Sequence, residues 1–334
     1  MGNGQTCANF HKKSGMGMTL HKYRILTLLT CVGMFLVLIA GVLVTNTESQ
    51  AGCGTDWPLC NGKFIPAYTL ESLVEYSHRL ISGGVGLLVG AAFLATVLWK
   101  PAKRKEPVWY ASAALFFTVL QAALGAMAVK WPQSDAVLAL HFGISLFAFT
   151  STWLLYTYAS RLASSQGQPV SVAADGKAAG AVPRSVYHFA LVALIYCYAV
   201  IYLGAYIRHT GSGGACVGWP LCNGDVIPEL SGSVGVAFAH RLAAVLMLLL
   251  VVALVRFIRK KAGAGTELGR IARQALLLVC LQVLSGGLLA ITIDDHDVYV
   301  FTALLHTVII AALFSVICLL ALRSRHLSGN RSGT

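Results

Sequence analysis

Four histidines, one glutamate and two cysteine pairs carry the chemistry available to this 334-residue chain. Cys53 and Cys60 open a stretch that continues through Trp57-Pro58-Leu59-Cys60-Asn61-Gly62 and ends in Glu75-Tyr76-Ser77-His78-Arg79. A second copy contains Cys216, Trp219-Pro220-Leu221-Cys222-Asn223-Gly224 and His240-Arg241. Cys60 and Cys222 are 162 residues apart, and so are His78 and His240. Each copy is followed by another histidine, His141 in the first and His306 in the second. The copies differ at one position with chemical consequences: Glu75 lies three residues before His78, and Ala237 three residues before His240.

Two imidazoles on facing helices form a ligand pair of the kind bundles use to hold a cofactor. Without a carboxylate partner they suit heme iron, whose porphyrin supplies the remaining ligands, better than zinc, which normally takes four ligands from the protein. A lone helical histidine is usually a packed, hydrogen-bonded residue, but four of them paired within repeats shift the balance, because ionisable groups in apolar spans are costly. His11, His21, His188, His209, His296 and His326 lie at span ends or in tails and carry no such signal. Glu75 is one helical turn before His78, so the two project from one face. A solvated acid at a helix N-terminus would explain Glu71 well. The repeat places Ala237 at the position of Glu75, so the fold itself needs no acid there, and Glu75 reads as chemical. The first half is then expected to act on a substrate and the second to hold a permanent heme.

The elements that position these residues are membrane spans. Hydrophobic residues make up 57% of the chain and charged residues 11%, against about 25% charged in a soluble domain. Apolar runs over 25–44, 76–99, 108–129, 136–159, 186–207, 234–258, 271–293 and 298–322 each reach the roughly 20 residues a bilayer requires. The expected fold is an all-α integral membrane protein of eight helices. A net charge of +12 does not indicate nucleic acid, since the basic residues fall in short clusters between spans. The tails and the connections between spans two and three, four and five, and six and seven hold 20 of the 25 lysines and arginines. Both termini are therefore expected in the cytoplasm and both cysteine loops outside. The first span has the basic flank of a signal peptide but is long and lacks a clean cleavage site, which favours an uncleaved helix. Met1-Gly2 with Thr6 fits a loose N-myristoylation pattern, an anchor that eight spans make unnecessary.

A linker over 161–185, rich in Ala, Gly, Ser and Pro, separates two four-helix halves at 24–160 and 186–323, with cytoplasmic tails at 1–23 and 324–334. Gln121-Ala122-Ala123-Leu124-Gly125 matches Gln282-Val283-Leu284-Ser285-Gly286 at an offset of 161. Four helices per half give both copies the same orientation, so the expected architecture is two parallel-repeat bundles. Gly83, Gly84 and Gly86 are read as glycines for close helix packing. Cys7, Cys31, Cys197, Cys280 and Cys318 are read as small core residues. Cys53–Cys60 and Cys216–Cys222, in an oxidising compartment, are expected to form one disulfide per loop; zinc would require both loops to converge. Arg79 and Arg241 have two equal readings, as partners of heme propionates or as side chains snorkelling to headgroups.

Taken together, the two repeats, Cys53/Cys60, Glu75-x-x-His78, His141, Cys216/Cys222, His240 and His306 resemble heme A synthase of the bacterial type with cysteine pairs in both outer loops. The resemblance implies oxidation of a methyl group of heme O to the formyl group of heme A for terminal oxidases. It implies axial ligation of substrate heme O by His78 and His141, with Glu75 catalytic, and of a heme b cofactor by His240 and His306. It implies a cell-membrane location among lipid, with heme O synthase and terminal oxidase assembly factors as partners. Two other readings remain at this point. A non-enzymatic two-heme cytochrome explains four histidines but not the Glu75/Ala237 difference. A heme transporter or chaperone calls for broken helices at the midplane.

Overall fold

A computed structural model describes residues 18–57, 59–99, 102, 104–131, 133–166 and 182–329. The myristoylation pattern, Cys7 and most of the linker lie outside them. Among the described residues the chain forms eight long helices: α1 (Leu20–Asn46), α2 (Leu70–Leu98), α3 (Lys105–Lys130), α4 (Asp135–Ser164), α5 (Arg184–His209), α6 (Gly232–Lys261), α7 (Glu267–Ile291) and α8 (His296–Gly329). All eight are long and apolar enough to cross a membrane, and the chain is an all-α membrane protein. Helices satisfy their own backbone hydrogen bonds, which hydrocarbon demands.

The helices begin earlier than the apolar runs do. The run expected from residue 76 belongs to a helix starting at Leu70, where Thr69 accepts a hydrogen bond from the Ser72 amide at 3.3 Å. That N-cap satisfies one of the first-turn donors. Glu71, Ser72 and Glu75 interrupt the apolar pattern in the first turns without stopping the helix, so Glu75 and His78 are both well inside α2. Likewise, Thr19 caps α1 through the amide of Lys22.

Helix α1 packs on α2 and α4, and α3 packs on the same two, so α1–α4 close a ring in which α2 and α4 are diagonal. Helix α5 packs on α6 and α8, and α7 on the same two, which makes α6 and α8 diagonal in a second ring. The rings meet along α4–α5, α1–α8 and α4–α8. The largest core lies on this seam and in the second ring, with Leu146, Cys197, Val251, Leu254, Phe314 and Ile317 buried. Phe147 of α4 contacts Phe117 of α3, Tyr198 of α5 and Phe314 of α8 with ring centroids 5.0–5.1 Å apart.

Polar contacts bridge the halves at three levels. Near the cysteine loops, Arg208 of α5 donates to the Asn46 side chain at 2.8 Å and to the Thr45 carbonyl at 2.7 Å. In the middle, the Thr150 and Ser315 hydroxyls are 2.8 Å apart. At the opposite end, Glu267 accepts from Arg161 at 3.3 Å and faces Arg323 at 3.5 Å.

Two sequence expectations change. A Cβ added at Gly83, Gly84 or Gly86 would meet nothing within 4 Å, so these glycines do not seat a neighbouring helix. Cys31 and Cys197 are buried as expected of core residues, but Cys280 is exposed on the flank of α7.

Candidate functional site

Each cysteine loop is a short, internally bonded cap over the start of a helix. In the first, a 3-10 turn at Ser49–Ala51 leads from α1 to Cys53. Cys60 and Lys63 exchange two backbone hydrogen bonds at 3.0 Å across Asn61-Gly62. Asn61 and Gly62 both have positive φ, 50° and 75°, the left-handed pair that a two-residue hairpin turn requires. Asn223 and Gly224 repeat this at 56° and 88°, with Cys222 and Asp225 exchanging the bonds. The repeated Asn-Gly is thus explained by turn geometry. The sulfur atoms of Cys53 and Cys60 lie at disulfide-bonding distance, as do those of Cys216 and Cys222. All four cysteines are buried.

The two loops attach to their helices differently. Glu75 is buried, with 4% of its surface exposed. Its Oε2 accepts the Cys53 amide at 2.8 Å and its Oε1 pairs with Arg79. Arg79 also donates to the carbonyls of Asp56 and Leu59. The solvated reading of Glu75 therefore does not hold; Glu71, a turn earlier, is the exposed acid. In the second half, Ala237 is buried against Cys216 and Cys222, with Val234 and Phe238 beside it. Arg241 reaches the carbonyls of Leu221 and Cys216 directly. Loop carbonyls are partners for both arginines that the sequence did not suggest.

The four histidines share a packing device. An ideal Cβ at Gly41 of α1 would lie 3.3 Å from Cε1 of His78. The corresponding distance is 3.7 Å from Gly125 of α3 to His141, 2.9 Å from Gly204 of α5 to His240 and 3.2 Å from Gly286 of α7 to His306. Every imidazole thus rests where the adjacent helix has no side chain, and the missing Cβ gives the ring its room. His78 and His141 sit on the diagonal helices of the first ring, and His240 and His306 on those of the second. Only the Gly125 and Gly286 seats fall within a repeat evident from the motifs. Gly41 and Gly204 also correspond, at the offset of 163 that separates Cys53 from Cys216, and aligning those cysteines would have found them.

The donor sets fit a porphyrin. Nδ1 of His78, His141 and His240 is buried with no hydrogen-bond partner, an expensive arrangement for an isolated packed histidine. Nδ1 of His306 is 2.9 Å from the Ser285 hydroxyl and its Nε2 is 2.8 Å from the Gln282 amide nitrogen. Such a hydroxyl fixes the ring orientation of a metal-binding histidine. Gln121, the first-half counterpart of Gln282, instead donates to the His141 carbonyl at 2.6 Å. Among the described residues, no three His, Cys, Asp or Glu side chains gather as a metal-binding group. Two imidazoles per ring suit a metal that brings its other ligands with it.

The chain is similar to known proteins over most of its length. The family model COX15-CtaA, described as cytochrome oxidase assembly protein, matches residues 24–318. A protein of Halalkalibacterium halodurans named heme A synthase is 39% identical over 292 residues, covering 87% of this chain and 93% of its own. Proteins of the same name from Symbiobacterium thermophilum and Alkalihalophilus pseudofirmus are 38% and 37% identical. They cover 88% and 89% of this chain, and 92% and 96% of their own.

Proposed function

This chain belongs to the COX15-CtaA family of cytochrome oxidase assembly proteins, and from that premise we propose that it is a heme A synthase, an oxidoreductase that converts a methyl group of heme O to the formyl group of heme A. The observation that carries the reading is the duplicated histidine frame with a buried acid in one copy only. A pure electron carrier with two hemes gives no reason for that difference.

His78 and His141, on α2 and α4, hold the iron of substrate heme O across the first ring. His240 and His306, on α6 and α8, would hold a heme b cofactor in the second. When bound, heme b supplies one-electron redox capacity beside the substrate half. Gly41, Gly125, Gly204 and Gly286 set how closely the imidazoles approach the helices behind them, and Ser285 fixes the His306 ring. Taking a methyl carbon to an aldehyde is a four-electron oxidation of that carbon by an oxidant from outside this chain, in two hydroxylations that give a gem-diol, which then loses water. Glu75, one turn from His78, is the group to which we assign taking protons from that carbon's substituents or stabilising positive charge developing there. Helix α2 provides the rigid support, and the Cys53–Cys60 loop covers the acid and keeps bulk water from it. The basic connections lie at the cytoplasmic face of the cell membrane, with both termini, and the disulfide-bonded loops lie outside.

Heme extraction from cells of a heme-A-deficient host tests this reading. With this chain present the cells are expected to contain heme A; without it they accumulate heme O. Equal heme O and no heme A in both would overturn the assignment.

A further inference from the structure

We propose that Arg79 is a positioning residue for the reaction: it fixes the orientation of the Glu75 carboxylate and ties that carboxylate to the Cys53–Cys60 loop. The proposal rests on the reading of Glu75 as the reacting acid.

The Arg79 and Glu75 side chains are 10% and 5% exposed. A buried carboxylate is tolerated only when paired and hydrogen-bonded. Here both of its oxygens have a donor, the Arg79 guanidinium on Oε1 and the Cys53 amide on Oε2. A carboxylate bound at both oxygens cannot rotate freely about its last bond. The guanidinium is itself fixed, because its other terminal nitrogen is held by the Asp56 and Leu59 carbonyls. A planar fork presents several donors in fixed directions, which suits holding an acid and two carbonyls at once.

The second half separates the two tasks. Arg241 holds its loop through the Leu221 and Cys216 carbonyls, with Ala237 where the acid would be. Holding a loop therefore needs the arginine and no glutamate. The contact between Arg79 and Glu75 is an addition peculiar to the first half, and it falls on the one residue to which the chemistry is assigned. A separate bond, from the Cys53 amide to Oε2, links the loop backbone directly to the same acid.

Three full-length variants test this: R79Q, R79K and E75Q. Heme A is extracted from cells, heme O is measured on the purified protein, and hydrogen exchange is followed at the Cys53 amide. In R79Q, heme A is expected to fall by about tenfold or more, since a misaligned catalytic group costs rate without costing binding. Heme O on the purified protein should stay within about twofold of the parent, and Cys53 exchange should accelerate. R79K should recover heme A in part, above R79Q and below the parent, because an ammonium still reaches the carboxylate but lacks the planar fork that also holds the loop carbonyls. Normal heme A in R79Q would overturn the proposal. So would a fall in bound heme O matching the fall in heme A, which would make Arg79 a grip on substrate. If R79Q does not accumulate as folded protein, R79K decides: a protected Cys53 amide with heme A retained supports the proposal, and an unprotected amide with heme A at the parent level overturns it. Parent-level heme A in E75Q would sink the underlying reading of Glu75, whereas an inactive E75Q with an active R79Q would sink only the role of Arg79.

Discussion

The Cys53–Cys60 loop is fastened to α2 through a buried carboxylate, and the Cys216–Cys222 loop to α6 through apolar contact with Ala237. Around them the architecture is matched: an Asn-Gly turn in each loop, an arginine on each set of loop carbonyls, and a glycine behind each histidine. Two packing differences accompany the acid. Trp219 lies on Gly287 of α7, where a Cβ would come within 2.9 Å of the indole; the first-half residues at the corresponding sequence positions are Trp57 and Ala126. Ser285 fixes His306 at Nδ1, and Gln282 lies on Nε2, the nitrogen that a heme iron would take from it; in the first half Leu124 occupies the sequence position of Ser285. On the proposed function, the fixed His306 ring of the second half suits a resident cofactor, and the buried acid of the first suits a substrate that must enter, react and leave.

Breaking the comparison at its ligands should give the largest effect. H240A and H306A are each expected to abolish the heme b spectrum of the purified protein, because on the proposed ligation each removes one of the two protein ligands. Loss of that spectrum in H78A, with retention in H240A, would reverse the assignment of the halves. The glycine seats offer a graded test. G204A places a methyl 2.9 Å from the His240 ring, closer than side chains pack, whereas G125A places one 3.7 Å from His141 in ordinary contact. Overpacking of this kind costs about 1–3 kcal/mol, so G204A should lower heme b occupancy several-fold and G125A should change bound heme O much less. Equal effects on the two ligands would mean that the seats do not set imidazole position.

The eight helices were legible because hydropathy is a local signal, and the histidine frame because it occurs twice. The start of α2 was not, since Glu71, Ser72 and Glu75 break the apolar run while Thr69 still caps a helix beneath them. The glycines show why packing is harder to read. Gly83, Gly84 and Gly86 form a conspicuous cluster yet seat nothing, and isolated Gly41 and Gly204 each seat a histidine. A glycine's role depends on what the neighbouring helix presents, and its own surroundings in sequence do not record that. Arg79 and Arg241 were hidden for the same reason: their partners are backbone carbonyls some twenty residues away, and carbonyls leave no mark on sequence. The asymmetry between Glu75 and Ala237 was visible at once, but the sequence could not tell that the acid is buried under a loop.

The central claim is that the halves share heme binding and differ in reaction chemistry through Glu75. Its most direct test measures the hemes bound to purified E75Q alongside the heme A content of the same cells. The account predicts that E75Q keeps its heme b and binds heme O while the cells make no heme A. Heme A at the parent level in those cells would contradict it.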